Sequence, residues 1–319
     1  MTTPLPSLNE LPENYWLSVN QLNAIRLSGE EKVKYLQGQV TCDVSELTSD
    51  KLLHGAHCDA KGKALSIFRL ITRDDDLLLI QPQASIELSL AELKKFGVFA
   101  KVDITTSDDL DFICLAGEQS QQYIQSKCAT LPNEHTPVIT YQSLTICYLA
   151  GTTARYLVTG HSKEISAFIA DATMPEVASR IWQLMEINEG FPLLSPASVQ
   201  KYVPQMLNVD KINGISFTKG CYLGQETVAR MQYLGKNKKM MGLLIGQSSQ
   251  LTEEHISIEK QLGENWRSAG DVLSYYLADN GTCYIQAVIA NDLTTESSLR
   301  IKADEKSALT LSTIPYISE

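Results

Sequence analysis

At 319 residues the chain is too long for one small core and suits two or three compact units. Apolar residues at 44% and charged residues at 20% exclude a disordered chain, and a net charge of −10 excludes broad, sequence-blind nucleic-acid binding. Seven cysteines, an odd number with no Cys-x-x-Cys pair, suggest neither a disulfide framework nor a ribbon-type zinc site and fit a reducing cytoplasm.

The first sixteen residues carry Glu10 and Glu13 and neither a cationic nor an apolar leader, so no signal peptide is expected. Ser28-Gly29-Glu30-Glu31 has capping-box spacing and predicts a short helix through Val33 and Leu36 that stops at Gly38. Segments 52–59, 64–72 and 77–81 read as three strands separated by Lys61-Gly62 and Asp74-Asp75-Asp76. Helical spacing follows over 84–96, with Ile86, Leu90, Leu93 and Phe96 on one face. Strands are predicted at 98–104, 111–116, 144–149 and 156–158, and helices at about 118–128, 163–171 and 175–187. The uncharged stretch 136–154 contains Pro137, Gly151 and five threonines, which suits paired strands and not a membrane span. After Lys239 the pattern changes to short strands at 240–246, 269–276, 283–290 and 299–303, with Asp279-Asn280-Gly281 as the clearest turn. Interleaved strands and helices without βαβ alternation predict an α+β body, followed beyond about residue 240 by a small all-β domain.

Chemistry concentrates in residues 201–240, where seven Lys and Arg face only Asp210 and Glu226. This is either a solvated surface loop or an anion site, for which Lys219, Arg230 and Lys236 are the candidates. Within it stands Lys219-Gly220-Cys221-Tyr222-Leu223-Gly224-Gln225-Glu226. Gly220 and Gly224 permit a tight turn around Cys221, and 223–233 has helical character with Leu223, Val228 and Met231 inward. A thiol at a helix start, beside Lys219 and near Arg230, has surroundings that favour a thiolate; the alternative is a small residue buried at a turn. His54, His57 and Cys58 do not predict a metal site, because His54 and His57 point to opposite faces of a strand.

The octapeptide 219–226 resembles the signature of the YgfZ family of folate-binding proteins. Tyr35-Leu36-Gln37-Gly38-Gln39-Val40-Thr41, His57-Cys58-Asp59-Ala60-Lys61-Gly62-Lys63, Gly190-Phe191-Pro192 and Gly263-Glu264-Asn265-Trp266-Arg267 agree with it, so the resemblance spans essentially the whole chain. It implies the fold of the glycine-cleavage T-protein: a body of two α+β subdomains over 1–240 and a C-terminal β-barrel over 241–319, arranged around a central opening that binds tetrahydrofolate. The function implied is an accessory one in tRNA modification. Iron–sulfur methylthiolating enzymes would be the clients, with roles in cluster assembly or repair and a link to regulation of DnaA. A cytoplasmic monomer without membrane association is expected, with 201–240 meeting RNA phosphates or a folate polyglutamate tail.

The resemblance also assigns residues. Trp182 matches a family tryptophan assigned to folate, whose ring can stack on a pterin; by pattern alone it is a core residue of an amphipathic helix. Leu22 stands where the family has a second folate tryptophan, so one stacking contact is missing. Asn188 occupies the place of the pterin carboxylate of T-protein-like chains, with Glu189 displaced by one position. True aminomethyltransferases carry an Asp pair shortly after the glycine matching Gly62; Ser66 and Ile67 stand there, which implies that the transferase chemistry is lost. The alternatives are a one-carbon transferase using Asp43, Asp59 or Glu189, and a thiol-based carrier using Cys221.

Overall fold

The computed structural model describes residues 4–233, 237–249 and 256–316. The chain opens with strands β1 (Tyr15–Ser18) and β2 (Leu22–Ser28), helix α1 (Lys32–Gln37), and strands β3 (Leu53–Cys58), β4 (Ala64–Arg73) and β5 (Asp76–Pro82). Helix α2 (Gln83–Gly97) and β6 (Asp103–Thr106) complete a five-stranded sheet of order β3-β4-β5-β2-β6. The next stretch holds β7 (Asp111–Ala116), α3 (Glu118–Lys127), β8 (Val138–Tyr141), β9 (Leu144–Leu149), β10 (Arg155–Gly160), α4 (Ser162–Ile169) and α5 (Ile181–Asn188). These strands take in β1 to form a second sheet, β1-β7-β10-β9-β8. Helix α6 (Gln225–Tyr233) leads to β11 (Lys239–Gln247), β12 (Ser257–Leu262), β13 (Asn265–Leu277), β14 (Thr282–Ala290), β15 (Leu299–Ile301) and β16 (Asp304–Ser312). This last group is a closed barrel, since β11 pairs antiparallel with both β14 and β16 and no edge is left open.

The three parts share one core. Its largest apolar cluster takes Ala24 and Ile67 from the first sheet, Cys114 and Leu157 from the second, Trp182 and Leu184 from α5, and Met241 and Tyr276 from the barrel. Helix α5 is the hub: Gln286 of β14 donates to the carbonyls of Glu186 (3.2 Å) and Phe191 (2.7 Å) and accepts from the Leu193 amide (3.1 Å).

Three local expectations are corrected. Ser28 is not a helix cap but the last residue of β2, paired with Asp103, and the Glu31 carboxylate accepts instead from the Lys101 amide at 2.9 Å. Gly29 (φ +102°) lies against the Lys101 carbonyl, 2.5 Å from where a Cβ would stand, so 98–102 is a loop and β6 begins only at Asp103. Helix α5 begins at Ile181, because the chain from Pro175 to Val177 is drawn onto the edge of β1: Trp16 N donates to Pro175 O and Val177 N to Trp16 O. In the barrel, β12 and β16 were not legible from the sequence, since their half-exposed, charged strands lack an apolar run.

Candidate functional site

Three sequence motifs that lie far apart in the chain interlock around Cys221. Leu223 N donates to Gly38 O (3.0 Å) and Ser216 N to Thr41 O (2.9 Å), which lays the loop along segment 38–41. Lys219 Nζ reaches past them to the carbonyls of Val40 (2.9 Å) and Cys42 (2.6 Å). On the other side Gly224 (φ +81°) meets the turn after β3, where Asp59 accepts from the amides of Lys61 and Lys63, both at 2.9 Å. A Cβ on Gly224 would fall 2.5 Å from Asp59 O and 2.7 Å from the Gly62 Cα, so the two turns pack backbone on backbone.

The result is an open groove of about 490 Å³ whose wall includes Gly38, Gln39, Ala60, Phe96 and residues 221–226. Cys221 is exposed on it, whereas the other six cysteines are buried. Tyr222 is buried, Gln225 half-buried and Glu226 exposed, and around Gly220 there is open space. Of the three residues expected inward, Val228 is fully buried, whereas Leu223, ahead of the helix, and Met231 are half-buried. We expect a native-state titration with an uncharged thiol reagent to modify one fast-reacting cysteine, seven after denaturation, and none quickly in Cys221→Ser.

Two readings of this loop need correction. Helix α6 starts at Gln225, four residues after Cys221, so the thiol lies outside the first turn to which the dipole effect is confined. Lys219 is not a free surface cation: its side chain is 9% exposed, and burial lowers its pKa to about 8, partly offset by Cys42 and Asp43. Arg230 is exposed in the last turn of α6, open to solvent anions. Lys236 lies outside the described residues.

The folate assignments fall elsewhere, around α5. Trp182 is 1% exposed, with the Arg69 and Arg155 guanidinium carbons 5.7 and 5.8 Å from its ring centroid. Both arginines bind Glu186: Arg69 through Nη1 (2.7 Å) and Nη2 (3.0 Å), and Arg155 through Nη1 (2.9 Å). Burial pushes the Glu186 carboxyl up, but the two guanidinium groups outweigh it and leave the group below its ordinary value. Sequence reasoning missed this triad. Its signal was there: Glu186 stands between Met185 and Ile187 on an apolar helix, and Arg69 stands between Phe68 and Leu70 in a mostly apolar strand.

Leu22 and Asn188 lie apart from each other's surroundings. Leu22 borders a second cavity of about 400 Å³ together with Trp16, Asn20, Asp111, Phe112 and Ser162. Asn188 is half-buried beside Glu189, whose carboxylate accepts from Thr152 N (2.9 Å) and from the Thr152 hydroxyl. As to fit for tetrahydrofolate, the indole N–H of Trp182 and the Nε–H groups of Arg69 and Arg155 are buried donors without an acceptor among the described residues. They are sealed in the core, because Trp182 is 1% exposed and does not border the cavity beside Leu22, so a pterin would reach them only if the packing over the ring opened. The cavity beside Leu22 is within the ~300–1,000 Å³ of small-molecule sites.

The carboxylates considered for one-carbon chemistry all accept hydrogen bonds, two from their own turns and Glu189 from a distant segment. Asp43 accepts from Gln37 Nε2 (2.8 Å) and Ser45 N (3.1 Å), Asp59 from its turn amides, and Glu189 from Thr152. Ser66 and Ile67 are buried in β4. His57 is sealed in the core with Nδ1 2.9 Å from Ser89 Oγ, and burial lowers its pKa to about 4. Among the described residues no group of three or more His, Cys, Asp or Glu is placed to hold a metal ion, and no helix is long and apolar enough to cross a membrane.

Comparison with known proteins bears on this arrangement. Residues 237–305 match the family model described as YgfZ, beta-barrel domain. The chain is 53% identical over 312 residues to the tRNA-modifying protein YgfZ of Colwellia psychrerythraea, covering 98% of this chain and 96% of that one. It is 38% identical over 316 residues to the protein of the same name from Yersinia enterocolitica, covering 98% and 95%. Among solved structures, the glycine cleavage system aminomethyltransferase T from Bartonella henselae superposes with a TM-score of 0.73 at 12% identity, over 97% of this chain and 88% of that one. The two sheets and the barrel are therefore the T-protein fold.

Proposed function

The chain belongs to the YgfZ family, and from that premise we propose that it supports tRNA modification as a folate-responsive accessory protein that presents Cys221 to a client. The observation that carries this reading is the convergence of segments 38–42, 59–62 and 216–224 to hold one exposed thiol on the rim of an open groove. Backbone-on-backbone packing of that kind serves presentation: the groove is open, and Gly38, Ala60 and Gly224 line it beside the thiol. The clients are iron–sulfur enzymes that methylthiolate tRNA, with Cys221 acting in assembly or repair of their clusters in the cytoplasm, and the protein works as a monomer. Exposed Arg230 and its neighbours in 201–240 offer contacts to RNA phosphates. The link to DnaA regulation rests on family resemblance.

We infer that aminomethyl transfer is lost, because Ser66 and Ile67 stand where the transferases carry an Asp pair. The carboxylates that could stand in for that pair already accept hydrogen bonds, Asp43 from Gln37, Asp59 from Lys61 and Glu189 from Thr152. A thiol-carrier role remains compatible with the exposed Cys221. The deciding experiment is complementation of a deletion strain with wild type or Cys221→Ser, reading tRNA methylthiolation by mass spectrometry. Loss with Cys221→Ser supports the reading; full modification would remove Cys221 from it.

Tetrahydrofolate is proposed to enter the cavity beside Leu22 and to reach the Trp182 ring by opening the packing over it. Because Trp182 is enclosed, an alanine there would cost about 3–5 kcal/mol as a core truncation and confuse folding with binding. Trp182→Phe keeps most of the ring and removes the N–H. We expect it to weaken tetrahydrofolate binding by about tenfold, roughly the value of one hydrogen bond, in a calorimetric titration. Unchanged affinity would move the pterin away from Trp182.

A further inference from the structure

We propose that Lys219 is the positioning residue of the Cys221 loop: its ammonium, donated to the carbonyls of Val40 and Cys42, holds the thiol at the rim of the groove through two charge-assisted bonds. The significance of this hold rests on the reading of Cys221 as the working thiol; the hold itself does not.

The loop is tied to segment 38–42 at its two ends by main-chain bonds, Ser216 N to Thr41 O and Leu223 N to Gly38 O. Between them lies the exposed turn, with nothing near Gly220 and the Cys221 side chain in solvent. Across that gap the hydrogen bonds from loop to segment come from the Lys219 ammonium, at 2.9 and 2.6 Å. The same Nζ stands 5.2 Å from the Tyr222 ring centroid, so one group fastens the residues on both sides of Cys221.

An ammonium is a costly filler for such a place, because burial penalises its charge and among the described residues no carboxylate hydrogen-bonds it, Asp43 acting only through its field. An apolar chain of the same length would pack there without that penalty. What the apolar chain lacks is a pair of charge-assisted bonds to carbonyls, about twice as strong as neutral ones. On deprotonation the bonds weaken to the neutral kind while the carbonyls stay.

The groups facing Nζ are Cys42 and Asp43 from the segment, with Glu46 further along it, and Tyr222 from the loop. Burial pushes Cys42 up to about 12 and raises Tyr222 as well, while hydrogen bonds from Ser45 and Gln37 keep Asp43 below the usual carboxylate range. Across roughly pH 6–10, Lys219 is therefore the member of this set that changes charge, near pH 8.

The test is a nitroxide label attached at Cys221, its mobility read by electron paramagnetic resonance from about pH 6.5 to 9.5. We expect the wild type to show an immobilised label that is released through a step near pH 8, and Lys219→Met to show a released label at every pH. Lys219→Arg, charged throughout, loses the step. A filler role would lower the unfolding midpoint of Lys219→Met and leave the label's mobility as in wild type, which overturns the proposal. If Lys219→Met does not fold, the wild-type series decides alone: absence of the step overturns it. Full tRNA modification by Cys221→Ser would sink the functional reading and leave the label result standing, so the two failures are distinguishable.

Discussion

Glu186→Ala is expected to lower the stability of the protein by about 3–5 kcal/mol, the cost of stranding a buried charge, and in this case two. Arg69 comes from the first sheet, Arg155 from the second and Glu186 from α5, and all three side chains are 3% exposed or less. The carboxylate is thus the joint at which both halves of the body meet the hub helix. Removing it leaves two guanidinium groups in a low-dielectric core with repulsion between them. Denaturant unfolding followed by circular dichroism reads the loss; a midpoint within error of wild type would show that the triad does not join the sheets.

The same joint sets an acid limit. The folded-state pKa of Glu186 lies below its ordinary value of 4.5, so the unfolded chain takes up the proton first as pH falls. Its contribution is complete above about pH 4.5 and is lost as pH drops through the lower folded value. Wild-type stability should fall steeply there, and Glu186→Gln, already weakened at neutral pH, should lack that component of the slope.

Gly224→Ala is expected to cost about 1–3 kcal/mol and to displace the Cys221 loop. The residue sits at φ +81°, and an added methyl would meet main-chain atoms at 2.5 and 2.7 Å, which cannot rotate out of the way. Gly220→Ala, three residues earlier in the chain than Leu223 and facing open space, is the control and should stay within about 0.5 kcal/mol of wild type. Thermal unfolding together with the rate of Cys221 modification distinguishes the two. Equal behaviour would mean that the turns at Gly62 and Gly224 do not touch.

By itself the sequence determined the local elements whose signal is local. The strands around Asp59 and the helix over 83–97 follow from apolar period and from Lys61-Gly62 and Asp74 as breakers, and the change of pattern after Lys239 marks the barrel. The motifs at 35–41, 57–63 and 219–226 were legible too, as spelling and spacing. The docking of 216–224 on the other two was not, because it is made by backbone contacts between residues more than a hundred positions apart, which leave no period in the chain.

Only the tertiary structure decided which side chains are free. Lys219 and Arg230 look alike as letters in a basic segment, yet one is spent on two carbonyls and the other lies in solvent. Cys221 differs from six other cysteines through burial alone. Trp182, Arg69, Arg155 and Glu186 become one unit because three elements bring them within a few ångströms. Charge and exposure depend on what arrives from elsewhere in the fold, and desolvation, which governs both, is a property of the assembled core.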